Sequence, residues 1–148
     1  MDFMVTSPPY WGILNKQDQK VKKNRVANNL ETKYSEDEKD LGNIAHYEDF
    51  LEILVKQVFL QCARTLRCGK YMAIVVSDFR DKSEYISFHS DLIHELNKKA
   101  IPGGGVLRLQ GTKILLQNHK SLLPYGYPFA YVENIHHQYV LIFRKEKK

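Results

Sequence analysis

The chain reads as a single α/β domain over residues 1–148. Three observations predict that class. Short apolar runs at 2–6 and 71–76 have the length and β-branched content of buried strands. A long segment between them, 47–66, carries apolar residues at helical spacing. After a second helical pattern, two further apolar runs at 111–117 and 138–144 close the sequence. Strand, helix, strand, helix, strand implies right-handed crossovers.

Each element has its own signal. Residues 2–6 form a short buried strand ending at Thr6-Ser7-Pro8-Pro9. Residues 11–45 are polar, charged and weakly periodic, and read as a long, partly mobile basic loop. Over 47–66, Phe50, Leu51, Leu54, Val55, Val58, Phe59, Cys62 and Leu66 recur on one helical face, and Gly69 stands where a C-terminal cap belongs. Tyr71-Met72-Ala73-Ile74-Val75-Val76 is continuously apolar, the pattern of a strand covered on both faces. Residues 88–99 predict a second helix with Leu92, Ile93 and Leu96 inward. Gly103-Gly104-Gly105 follows Ile101-Pro102 and reads as a flexible connector.

Composition narrows the function classes. The 148 residues are 43% hydrophobic, ordinary for a globular protein. No apolar run approaches the roughly 18 residues of a membrane span, and no secretory pattern opens the sequence. The expectation is a cytoplasmic protein with reduced thiols. Cys62 and Cys68 have no zinc-site spacing. His89, His94, His119, His136 and His137 form no helix-borne metal pair, so no metal is expected. Net charge is +5 with His neutral. Lys16, Lys20, Lys22, Lys23 and Arg25 crowd one segment, which reads either as a solvated basic loop or as a patch that neutralises DNA phosphates.

Chemistry concentrates in Ser7-Pro8-Pro9-Tyr10-Trp11. The two prolines have no N–H, so their backbones only accept. Each pushes the residue before it toward extended geometry. With the Ser7 hydroxyl, several acceptors sit on a stiff frame. An exocyclic amino group offers two N–H donors to such a frame. Hydrogen bonds from both would pull its nitrogen toward tetrahedral geometry and free the lone pair for attack. Tyr10 can stack on the base, a contact of about 1–3 kcal/mol. Trp11 is a second aromatic beside it. Nothing in the sequence places a base near Ser7, so a covalent nucleophile is not expected. Taken alone, the turn is also compatible with a plain Pro-Pro surface turn or a proline-recognition ligand.

The turn resembles the motif of the amino-methyltransferase family that makes N6-methyladenine or N4-methylcytosine in DNA. That motif is Asp, Asn or Ser, then Pro-Pro and an aromatic, at the end of the fourth strand of a seven-stranded sheet. The likeness continues through Asp40-Leu41-Gly42-Asn43, Leu66-Arg67-Cys68-Gly69-Lys70, Val75-Val76-Ser77-Asp78-Phe79-Arg80, Phe88-His89-Ser90-Asp91-Leu92-Ile93, and His136-His137-Gln138-Tyr139 to Lys145. It implies a partial Rossmann-like methyltransferase sheet, strands equivalent to the fourth to seventh, with flanking helices. It also implies S-adenosylmethionine as methyl donor and DNA as partner. Ser7, Pro8, Pro9 and Tyr10 would be catalytic, and Trp11, Asp78, Lys20, Lys22, Lys23 and Arg25 would contact substrate. Asp78 reads equally as a loop carboxylate paired with Arg80 or solvated.

One departure stands out. The family's Phe-x-Gly-x-Gly-like cofactor loop has no counterpart, because Gly103-Gly104-Gly105 follows no strand and opens no helix. The chain therefore resembles the catalytic C-terminal half, and its cofactor-binding residues stay unassigned. An alternative is a non-catalytic remnant, or a subunit of a split methyltransferase, that binds DNA or a partner chain without the cofactor. A strand left at a sheet edge tends to pair with another chain, so a homodimer or a second chain completing the sheet is also expected. An RNA or protein amino-methyltransferase is a third reading, although those commonly carry Asn where Ser7 stands. Adenine and cytosine targets are not distinguished by Ser7. Tyr125, Tyr127, Phe129 and Tyr131 make an aromatic loop that either covers the core or faces DNA.

Overall fold

Four strands form the main sheet. A computed structural model describes residues 1–11, 37–82, 84–120, 124–125 and 132–148. The chain divides into two compact units, Met1–Pro8 with Leu60–Lys148 and Pro9–Phe59. The first contains the whole sheet.

Strand β1 (Phe3–Thr6) pairs in parallel with β2 (Tyr71–Val76), from Phe3↔Tyr71 to Thr6↔Ile74. Strand β8 (His137–Glu146) is antiparallel to β2, and β5 (Val106–Leu116) is antiparallel to β8. The order across the sheet is β1-β2-β8-β5. It follows that β1, β2 and β5 point the same way and β8 is reversed. The carboxyl ends of β1, β2 and β5 thus share one edge with the amino end of β8. In β2, Met72, Ile74 and Val76 are fully buried and Ala73 nearly so, as its unbroken apolar run requires. Leu107, Leu141 and Phe143 complete the buried residues of this sheet. Helix α3 (Phe88–Leu96) packs on β5 and β8 and buries Phe88, Leu92 and Leu96. Each such side chain contributes about 1.5–3 kcal/mol on leaving water.

Several expectations are corrected. The strand expected at 111–117 begins at Val106 and ends at Leu116, with a bulge between Leu109 and Gly111. Its first half was hidden because Arg108 and Gln110 break the apolar run. The helix expected to 99 stops at Leu96, where Asn97 turns extended and its side-chain oxygen accepts the Leu109 N–H instead. Gly69 does not cap a helix that already ends at Thr65. It takes φ +82° in the turn closed by the Lys70 N–H on the Arg67 carbonyl and leads into β2. Gly103–Gly105 is a closed turn: Gly104 donates to the Ile101 carbonyl and Ile101 to that of Gly105, each at 2.9 Å. Gly105 has φ +89°, and a Cβ there would lie 2.7 Å from the Glu146 carbonyl oxygen, so only glycine fits.

The stretch expected as one helix over 47–66 is α1 (Tyr47–Ile53), a π segment (Leu54–Phe59) and α2 (Leu60–Thr65). The extra residue per π turn shifts the phase of the buried face. Phe59 at its end and Leu60 and Ala63 beyond it are buried, while Cys62 is only half-buried. In the Pro9–Phe59 unit, residues 37–59 also include a 3-10 turn (Leu41–Asn43), whose Gly42 N–H is capped by the Asp40 carboxylate at 2.9 Å.

Two small hairpins were not expected from the sequence: β3 (Phe79–Asp81) with β4 (Glu84–Ile86), and β6 (Pro124–Tyr125) with β7 (Val132–Glu133). No helix among the described residues is long and apolar enough to cross a membrane.

Candidate functional site

Parallel pairing decides the site's position. Ser7 and Pro8 leave the carboxyl end of β1. Ser77 and Asp78 leave the carboxyl end of β2, the next strand, about 5 Å away. The two segments therefore emerge side by side, on the edge where open α/β sheets hold their ligands. Ser7 is exposed and Pro8 is buried. Among the described residues the Ser7 hydroxyl has no hydrogen-bond partner. A proline anchored in the protein thus presents a serine to solvent.

The end of β2 is organised differently. Asp78 is 3% exposed. Its carboxylate accepts from the Tyr85 hydroxyl at 2.7 Å and from the His89 backbone N–H at 2.9 Å. His89 Nδ1 lies 2.8 Å from both carboxylate oxygens. A carboxylate only accepts, so Nδ1 carries the proton in the neutral ring. The sequence offered Arg80 or solvent as surroundings for Asp78. Its partners are instead His89 and Tyr85, while the Arg80 guanidinium lies 5.3 Å from the Tyr85 ring centre. The β3–β4 hairpin returns Tyr85 to Asp78, and the first turn of α3 delivers His89.

A row of rings extends from this carboxylate. His89 stacks on Tyr139, with centroids 3.6 Å apart and planes 8° off parallel. The Tyr139 hydroxyl meets His137 Nε2 at 3.2 Å, and the two rings pack edge to face. The Ser77 hydroxyl donates to the His137 carbonyl at 3.3 Å, tying β2 to the start of β8. Burial, then the Asp78 hydrogen bond, pushes the Tyr85 hydroxyl well above the usual tyrosine range. Burial, then the Asp78 charge, raises Tyr139. Both phenols stay neutral at physiological pH. His89, Tyr85 and Tyr139 were not singled out from the sequence. The nearest signal was the Asp78…His89 pair inside the downstream segments, which only a folded hairpin brings into contact.

In the Pro9–Phe59 unit, Pro9, Tyr10 and Trp11 are half-buried. The Trp11 indole N–H donates to the Ile44 carbonyl at 2.7 Å, and its ring packs edge-on against Tyr47 at 5.6 Å. Lys16, Lys20, Lys22, Lys23 and Arg25 lie outside the described residues, as do Tyr127, Phe129 and Tyr131.

The one run of glycines, Gly103–Gly105, joins α3 to the amino end of β5, on the edge opposite Ser7 and Asp78. It is a hydrogen-bonded turn between a helix and a strand, not a strand-to-helix loop. Among the described residues no group of three His, Cys, Asp or Glu side chains could hold a metal ion.

Three solved structures of TTHA0409, a proposed DNA modification methylase of Thermus thermophilus, resemble this chain. The selenomethionine form is 19% identical, with a TM-score of 0.55 over 99% of this chain and 45% of its own. A second form is 23% identical, with a TM-score of 0.57 over 99% and 47%. The complex with S-adenosyl-L-methionine is 21% identical, with a TM-score of 0.58 over 99% and 48%. This chain shares the fold of part of that protein. It spans about half the length of the structures it matches. No protein-family model and no curated protein matches it.

Proposed function

We propose that this chain is the part of a DNA amino-methyltransferase that binds the target base and activates its exocyclic nitrogen, on adenine or cytosine. The observation that carries this reading is an exposed Ser7 on a buried Pro8 at the carboxyl end of β1. It occurs in a fold shared along 99% of the chain with a methylase solved in complex with S-adenosylmethionine. In this reading the four strands correspond to the fourth to seventh of a Rossmann-like sheet, and 1–148 is the catalytic half of that fold.

The target base is swung out of the duplex, which costs a few kcal/mol. The Ser7 hydroxyl and the Pro8 carbonyl accept the two amino N–H groups, and Tyr10 stacks on the ring. Trp11 supports the turn. Lys20, Lys22, Lys23 and Arg25 neutralise phosphates, which orients DNA without reading its sequence. Asp78 shapes the neighbouring wall through His89 and Tyr85. S-adenosylmethionine is the methyl donor this reading requires. The chain's own contribution in this reading is orientation and polarisation of the amino group.

Transfer of labelled methyl groups from S-adenosylmethionine to DNA, with a complete cofactor half supplied, tests the reading, and Tyr10→Ala is expected to lose most activity. Near-normal transfer by that variant would refute the stacking role. A second reading, a subunit of a split methyltransferase, is favoured by the edge strand β1. Phe3 and Val5 are 56% and 61% exposed there. Titration calorimetry separates the two: saturable binding of S-adenosylmethionine to this chain alone indicates a complete site, and no heat indicates the split form.

A further inference from the structure

The inward face of the sheet runs past its cover. Leu141 and Phe143 of β8 are fully buried and define that face. Alternation places Tyr139 and His137 on the same side. In β5 the bulge between Leu109 and Gly111 resets the alternation. Ile114 and Leu116 then stand opposite Tyr139 and His137, on the same face as Leu107. Leu107 is fully buried, but Ile114 is 56% and Leu116 61% exposed. Length explains the gap. The nine residues of α3 span about 13 Å, whereas the eleven of β5 span about 36 Å. An inward-facing apolar surface is left open at the edge that also bears Ser7 and Asp78.

We propose that Ile114, Leu116, His137 and Tyr139, with His89 stacked behind Tyr139, form a platform against which unpaired bases of a DNA strand lie. This assignment rests on the proposed function and adds a second contact region to it. Three features favour nucleobases over a protein partner. The rings are held in place before binding, by the Asp78–His89 pair and the His137–Tyr139 contact, so little side-chain freedom is lost. Flat apolar surface alternates with hydroxyl and imidazole groups, as flat, polar-edged bases require. The chain carries 22 Lys and Arg against 17 Asp and Glu, which draws a polyanion.

Fluorescence anisotropy tests the platform with a labelled single strand of roughly 20 nucleotides, longer than one site of this kind. Ile114→Ser combined with Leu116→Ser should weaken binding about tenfold or more, and so should Tyr139→Leu. The slope of affinity against salt should not change, because no cation is removed. The serine pair alters exposed positions, and an unchanged melting temperature will certify its fold. Affinity within about twofold of the unaltered chain overturns the proposal, as does a wild-type chain that does not bind the strand. So does a sedimentation result in which the serine pair splits a dimer while DNA affinity is unchanged, which makes the face a contact between copies. The test is separable from methyl transfer. Intact transfer with intact binding in the serine pair sinks the platform alone. Weakened binding in the serine pair, with transfer absent even when a complete cofactor half is supplied, sinks the methyltransferase reading alone.

Discussion

The ends of β1 and β2 lie side by side but differ in chemistry. At the end of β1 the Ser7 hydroxyl is exposed, with no protein partner among the described residues. At the end of β2 the Asp78 carboxylate is buried and accepts from two side chains and a backbone N–H. A group left unsatisfied at the surface is available to a ligand. A buried charge satisfied from within is scaffold, because any ligand that took one of its bonds would have to replace what it displaced. On the proposed function, binding belongs to the first end and positioning to the second.

That division is open to attack by substitution, and the largest effect belongs at Asp78. Asn there presents an amide N–H toward donors it must accept from, so Asp78→Asn should cost about 3 kcal/mol of stability, measured by urea unfolding. A cost below about 1 kcal/mol would break the contrast between the two ends. Tyr85→Phe removes one donor and should cost about 1–2 kcal/mol. It also has a pH signature. The Tyr85 hydroxyl ionises well above the usual range in the folded chain, so its contribution is complete below about pH 10, where the unfolded phenol ionises. It is lost as pH rises from there toward the folded value. Melting temperature should therefore fall more steeply above about pH 10 in the wild type than in Tyr85→Phe. Ser7→Ala should change stability by less than about 0.5 kcal/mol while lowering methyl transfer severalfold. A large stability loss there would show that Ser7 is structural after all. The smallest effect is expected at Asp2, whose exposed carboxylate bonds Arg67 and lies below its usual range for that reason. Asp2→Asn should leave the melting temperature unchanged within error.

Legibility followed the range of the forces involved. β1, β2 and the helical content of 47–66 and 88–99 were readable because burial of one face writes a period into adjacent residues. The start of β5 was not, since Arg108 and Gln110 look outward at a sheet edge. The π segment was not, because Leu54, Val55, Val58 and Phe59 fit a regular helix equally well until packing chooses the phase. At the site, Ser7 and Pro8 were legible as a motif and Asp78 as a residue at a strand end. His89 and Tyr139 were not, because neither carries a local signal that distinguishes it from the other histidines and tyrosines.

From the chain alone came the stiff, acceptor-rich turn, since two prolines remove donors and fix φ wherever they stand. The alternation of strands and helices came the same way, from local hydrophobic spacing. Tertiary structure decided what surrounds that turn. Asp78 and His89 are eleven residues apart, and Tyr139 is 50 residues beyond His89. Only sheet register and a returning hairpin bring them together. Contacts across such separations depend on where the backbone turns in space, which no local pattern of side chains encodes.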